Sequence, residues 1–85
     1  MIYRIFTVYD QQAKAHITPF FLPQEGQAIR TFSDMVNNPD HQFGMHPEDY
    51  TLMELGIFDE EEAAFSLLEV PNVLGTGVKF LQTQN

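Results

Sequence analysis

NNPDHQFGMHPEDYTLMELGIF, residues 37–58, sets an apolar, strand-like run behind two X-Pro steps, with two histidines and four acids in the same stretch. Two readings of it compete. His41, His46, Glu48 and Asp49 lie close enough in sequence to suggest a metal or acid/base site. Pro47 and the YTLMELGIF run fit equally well a tight turn feeding a strand, with Glu48 and Asp49 capping or solvating the turn. A His-x4-His spacing across a Gly-containing loop does not by itself hold two imidazoles in one coordination sphere, and zinc sites need three or four rigidly placed ligands. A turn needs no such placement, and it implies neither a metal nor a cofactor.

Working upstream, Asn37-Asn38-Pro39 is a helix stop, because the residue before proline avoids the helical region. Before it, Ala28, Ile29, Phe32, Met35 and Val36 recur at three- and four-residue steps and predict an amphipathic helix of about three turns. Arg30, Thr31 and Asp34 fall on its outer face, and Glu25 near its start suits the helix dipole. Residues 2–9 alternate Ile2, Arg4, Phe6, Val8 with Tyr3, Ile5, Thr7, Tyr9, so both faces are mostly apolar and predict a central strand covered on both sides. HITPFFLP, residues 16–23, predicts a second strand in a hairpin with the first, and Pro19, which has no N–H, assigns it to a sheet edge or a bulge.

Downstream of the quoted stretch, residues 59–64 read as a solvated turn and FSLLEV, from Phe65, as a returning strand. The Gly-Thr-Gly of residues 75–77 is a break, followed by Val78, Phe80 and Leu81, enough for a short last strand. GTG lacks the lysine and following helix of a phosphate loop, so it too reads as a turn. The expected fold is a single α+β domain over residues 1–85. It has a small antiparallel sheet of four to five strands with one amphipathic helix, in the order β-β-α-β-β.

Composition narrows the function. The chain has 85 residues, 44% of them hydrophobic and 13% aromatic, and eight of the aromatics are Phe. Such a chain folds around one modest core and has apolar surface to spare, which implies self-association as a homodimer. Cysteine is absent, which removes disulfides, thiolate chemistry and cysteine zinc sites. The N-terminal run does not read as a signal peptide, and no apolar run reaches the roughly 18–20 residues of a membrane span. A cytoplasmic protein without membrane contact is expected.

Twelve acids stand against Arg4, Lys14, Arg30 and Lys79, for a formal net charge of −8. Nucleic-acid affinity comes largely from cations displacing counterions, so four scattered cations permit only weak direct contact. The residues available for a partner or DNA contact are Arg30, Arg4, Lys14, Tyr9, Phe20 and Phe21, with the rings able to stack single-stranded bases. Glu54 and Glu69 each interrupt an apolar strand, and an outward-facing strand position accounts for both. Ser33 and Ser66 have no nucleophile elbow around them, and the histidines have no evident partner. No catalytic residue is expected.

TVYD (residues 7–10), PFFLP (19–23), GQAIRTF (26–32) and HPEDYTLMELGIFD (46–59), in that order and spacing, resemble a known family. It is the small nonstructural protein of gokushovirus-type microviruses (Gokushovirinae, Microviridae), which are single-stranded DNA phages. The resemblance covers about two thirds of the chain, residues 5–59, and includes the turn His46, Pro47, Glu48, Asp49 and Tyr50. It implies a protein made in the host bacterial cytoplasm and absent from the finished particle. By genome position and size, it implies a counterpart of the small microvirus protein that switches replication from duplex copies to single-stranded genomes for packaging. The expected function is a non-enzymatic accessory protein of phage DNA replication, single-stranded genome synthesis and packaging, acting on viral or host replication and packaging proteins. The alternative is a single-stranded DNA-binding module using aromatic stacking and a few cations.

Overall fold

A computed structural model describes residues 1–82. The alternating segment at the N-terminus forms β1 (Ile2–Asp10), and its residues 5–8 are all buried. Asp10 shapes the turn that follows: its Oδ1 accepts from the backbone N–H of Gln12 at 3.0 Å and of Ala13 at 3.2 Å. Such self-capping is why aspartate favours turns. The second strand is split by Pro19 into β2 (Ala15–His16) and β3 (Phe20–Leu22), both antiparallel to β1. Proline cannot donate to the ladder, so the strand breaks where the sheet has an edge.

Helix α1 (Glu25–Val36) matches the periodicity. Ala28, Phe32 and Val36 are buried, Ile29 and Met35 half-buried, and Arg30, Thr31 and Asp34 exposed. At its start the Gln24 N–H donates to Gln27 Oε1 at 3.2 Å. At its end Asn37 does more than stop the helix. Its Nδ2 donates to the Ser33 carbonyl at 2.8 Å and the Phe80 carbonyl at 3.0 Å, while its Oδ1 accepts from Gln82 N–H at 2.8 Å. One amide therefore ties the helix terminus to the C-terminal segment.

The connection after Asn37 contains a four-residue helix α2 (Gln42–Met45) and a 3-10 turn (Pro47–Asp49) before β4 (Tyr50–Asp59) begins. β4 pairs with β1 along its length, and β5 (Ala64–Thr76) pairs with β4. The sheet order is β2-β1-β4-β5, with β3 also on β1, and every pairing is antiparallel. This is the expected α+β architecture.

Two expectations need correction. The returning strand does not end with FSLLEV but runs on through Pro71 to Thr76, because residues 68–71 bulge out opposite Leu55 and pairing resumes at Asn72 with Glu54. The short last strand is not formed. Gly77–Phe80 is a 3-10 turn that brings the Phe80 ring edge-on to Phe32, with centroids 5.8 Å apart. Burying that ring against α1 outweighs adding a further strand of three apolar residues.

The core lies on one side of the sheet. Phe6 and Val8 of β1 and Tyr50 and Leu52 of β4 meet Ala28, Phe32 and Val36 of α1 and Phe43 of α2. Both faces of β1 are buried, as expected, but the helices gather on the Phe6 side only. On the other face Ile5 lies beside Phe21 and Gly56, and the Thr7 hydroxyl donates to the Ile17 carbonyl at 2.8 Å. Burial of a Phe side chain contributes about 1.5–3 kcal/mol, and its truncation also leaves a cavity. Phe32→Ala should therefore cost about 3–5 kcal/mol, a large part of the roughly 5–10 kcal/mol available to a domain of this size. Arg30→Ala on the outer face of the same helix should change stability by no more than about 0.5 kcal/mol. Urea unfolding of the two variants checks the contrast.

Candidate functional site

The histidine and carboxylate cluster is divided by the fold. His41 caps α2, its Nδ1 accepting from the Phe43 N–H at 3.0 Å, and its ring lies edge-on to Phe43. His46, Glu48 and Asp49 do come together, with one donor atom from each within 4.8 Å of the others. They lie on the surface at the 3-10 turn, where His46 and Glu48 are exposed and Asp49 is half-buried. Asp49 is also engaged structurally: its carbonyl accepts from Gln11 N–H at 2.9 Å, and its Oδ1 from Gln12 Nε2 at 3.4 Å. Pro47 stands at the start of the turn. Tyr50 is buried, its hydroxyl accepting from Gln42 Nε2 at 2.6 Å and its ring 4.4 Å from that of Phe43. The block from His46 to Tyr50 is thus a joint between α2, β1 and β4.

The strongest charged feature is one that the sequence reading placed wrongly. Glu54 does not face outward. It shares the helix side of β4 with Tyr50 and Leu52, and its side chain is 7% exposed. Arg4 meets it from β1: Nε donates to Glu54 Oε2 at 3.0 Å, and Nη2 sits 2.9 Å from Oε1 at an angle too oblique for a directed hydrogen bond. The same Nη2 donates to Glu25 Oε2 at 3.3 Å, at the start of α1. A buried carboxylate is costly to desolvate and needs such a partner. Arg4 is therefore committed within the chain and is not free for phosphate. Glu69 is exposed, as expected, in the bulge of β5.

The other candidate contact residues do not share one surface. Phe20 faces the core side, its ring centroid 5.7 Å from that of Phe6, whereas Phe21 points to the opposite face. There Phe21 lies edge-on to Phe58 at 6.0 Å, and Phe58 stands 4.8 Å from Phe65. With Tyr3 these rings enclose a shallow cleft of about 220 Å³. Tyr9 is further along the same face, paired with His16 at 4.8 Å. Lys14 sits in the β1–β2 turn with φ 55°, Arg30 on the outside of α1, and Lys79 in the C-terminal turn, donating to the Leu74 carbonyl at 3.0 Å. A second, larger cleft of about 400 Å³ opens between α1 and the β2–β3 segment, lined by Ile17, Phe20, Leu22, Thr31 and Met35 among others.

What sequence reasoning missed is the open sheet face carried by β5. Phe65, Leu67, Leu68, Val70 and Val73 are all exposed. Alternation in FSLLEV suggested only a returning strand, and nothing in it showed that no helix covers the strand. For the charged cluster, Arg4→Ala should cost about 2–3 kcal/mol, less than a fully buried pair because the guanidinium is partly solvated. The double variant Arg4→Met/Glu54→Leu should return to within about 1 kcal/mol of the parent, because no unpaired charge is left behind. Chemical denaturation of both variants measures this.

Comparison with known proteins agrees with the resemblance seen in the sequence. A family model described as Phage ORF5 protein matches residues 3–80. Protein ORF5 of Chlamydia phage 1, a gokushovirus-type microvirus, is 26% identical over 85 residues, covering 93% of this chain and 88% of the relative. No solved structure matches the chain. With the family match spanning nearly all of β1 through the C-terminal turn, the chain belongs to the phage ORF5 protein family.

Proposed function

We propose that this phage protein is a nonstructural, non-enzymatic accessory factor of viral DNA replication, single-stranded genome synthesis and packaging, and that it acts in the host cytoplasm through protein contacts. The observation that carries this reading is the character of its free surface. Tyr3, Phe21, Phe58 and Phe65 form an aromatic cluster on a sheet face without a helical cover, and β5 extends it with further apolar side chains. The four cations stand on separate elements, one of them locked to Glu54 and Glu25. Apolar area without cations suits a protein partner better than a charged phosphate backbone. No helix of the described residues is long and apolar enough to cross a membrane.

Membership of the phage ORF5 family supports a role during infection, and the replication and packaging step comes from the resemblance to gokushovirus nonstructural proteins. Recovery of tagged protein from infected cells, with and without nuclease, tests the reading. Viral or host replication proteins should remain bound after nuclease treatment, and their loss would point to DNA as the bridge. Fluorescence anisotropy with a labelled single-stranded oligonucleotide gives the complementary measurement. Binding should be weak and fall with salt by about 0.7 log units per log unit for each phosphate contacted. Tight binding at physiological salt would overturn the preference for protein partners, with Tyr9, His16 and Lys14 as the first residues to examine.

A further inference from the structure

We infer that the outer edge of β5 is the seat of a second copy of this chain, which adds its own β5 antiparallel across a two-fold axis at Ser66 and continues the sheet from one protomer into the other. The inference is independent of the proposed role in replication and rests on the edge itself. β5 is the last strand of the sheet, so among the described residues its outer backbone groups have no strand beside them. Unpaired strand edges are templates for pairing, and natural proteins guard them with prolines, charges, bulges or very short strands. The opposite edge of this sheet is guarded: β2 and β3 have two and three residues, with Pro19 between them. β5 is guarded only from residue 68 onward, where the bulge, Glu69 and Pro71 lie. Its straight portion, Ala64 to Leu67, pairs regularly with β4 and contains neither charge nor proline.

Symmetry and charge choose the register. A two-fold axis perpendicular to the sheet must pass through a residue paired with itself, because side chains alternate between faces. With the axis at Ser66, Phe65 stands opposite the partner's Leu67 on the open face, and Ala64 opposite the partner's Leu68. Moving the axis to Phe65 would set Glu61 against the partner's Glu69, and moving it to Leu67 would set Phe65 against that same glutamate. Of the three, the Ser66 register sets both Phe65 and Ala64 against apolar partners and places no two acids opposite each other.

The side chains at this edge suit such a pairing: Phe65 is 61% exposed and Leu67 68%, with Leu68 also open, so apolar area lies free beside the unpaired backbone groups and would be shared between the two strands.

The native chain has no cysteine, so single cysteines report the register directly. Residues directly opposite across an antiparallel pair have Cα atoms about 4.5–5.5 Å apart, within disulfide range. Ser66→Cys should therefore give a covalent dimer on mild oxidation, whereas Asp34→Cys on the outer face of α1 should stay monomeric on the same non-reducing gel. By light scattering the parent should run at about twice its 9.8 kDa chain mass at micromolar concentration. Leu67→Lys should weaken dimerisation at least about tenfold, with an unchanged circular dichroism spectrum showing that the protomer still folds. A parent that is monomeric at that concentration overturns the proposal. So does a dimer that tolerates Leu67→Lys and fails to cross-link through Ser66→Cys, which would place the interface elsewhere.

Discussion

The contact between the inner face of β1 and the buried stripe of α1 is the constraint on which the other elements depend. β1 lies between β2 and β3 on one edge and β4 on the other, and its Phe6 and Val8 supply the floor on which Phe32 and Val36 rest. A single helix of twelve residues can cover only part of a sheet this long. The chain therefore gathers small pieces around it: Phe43 from α2, Tyr50 from the start of β4 and Phe80 from the C-terminal turn all converge on the Phe32 region. Close approach makes this possible. A side chain at Gly44 would put its Cβ 1.8 Å from the Asn38 carbonyl oxygen, so α2 could not fold back on the end of α1 with any other residue there.

Charge inside the fold obeys the same economy of space. Arg4 and Glu54 occupy positions on the helix side where an all-apolar alternation would have placed hydrocarbon, close to the start of α1. Replacing such a pair with well-packed apolar residues is often neutral or stabilising, so its presence is weak evidence for stability. It joins three elements that are far apart in sequence, with Glu25 from α1, Arg4 from β1 and Glu54 from β4. That geometry holds the helix N-terminus to one position on the sheet and leaves the aromatic face without a cation.

Much of the architecture was legible in the sequence because its signals are local. The period of Ala28, Phe32 and Val36 marked the helix, Pro19 marked the broken edge strand, and Asn37-Asn38-Pro39 marked the helix stop. The misreadings arose where the outcome depends on distant partners. Glu54 reads as outward in the sequence because its neighbours Met53 and Leu55 are both apolar, and one-residue alternation cannot say which face the helix covers. The bulge at Leu55 then changes the phase of the strand, so the pattern of its second half does not continue that of its first. Phe80 reads as part of a strand because a short apolar run has no preferred partner until Phe32 is in place. Asn37 signalled a stop, but its bonds to Phe80 and Gln82 cross more than forty residues. The candidate contact residues suffered likewise: Phe20 and Phe21 are adjacent in sequence and are therefore separated by the sheet.

The division between the covered and open faces explains how so small a chain keeps both a core and an exposed apolar surface. Residues 1–56 with the C-terminal turn hold nearly every buried side chain, while residues 61–73 hold none. A strand that packs against no helix is marginal alone, and β5 is held by its ladder to β4 and by the rings of Phe21, Phe58 and Phe65. Gly56 permits that attachment: it adopts φ 156°, and a Cβ there would lie 2.3 Å from the Ser66 carbonyl oxygen. β5 can thus approach closely at the one point where its straight portion meets the bulge. Strand residues that contribute little to the core and carry exposed Phe, Leu and Val are a liability for a free monomer, since they invite indiscriminate pairing. The acids of residues 59–62 and Glu69 bracket that portion and oppose misregistered approach by like charges. In the proposed β5 pairing, selectivity would thus come from apolar area in the middle and repulsion at its ends.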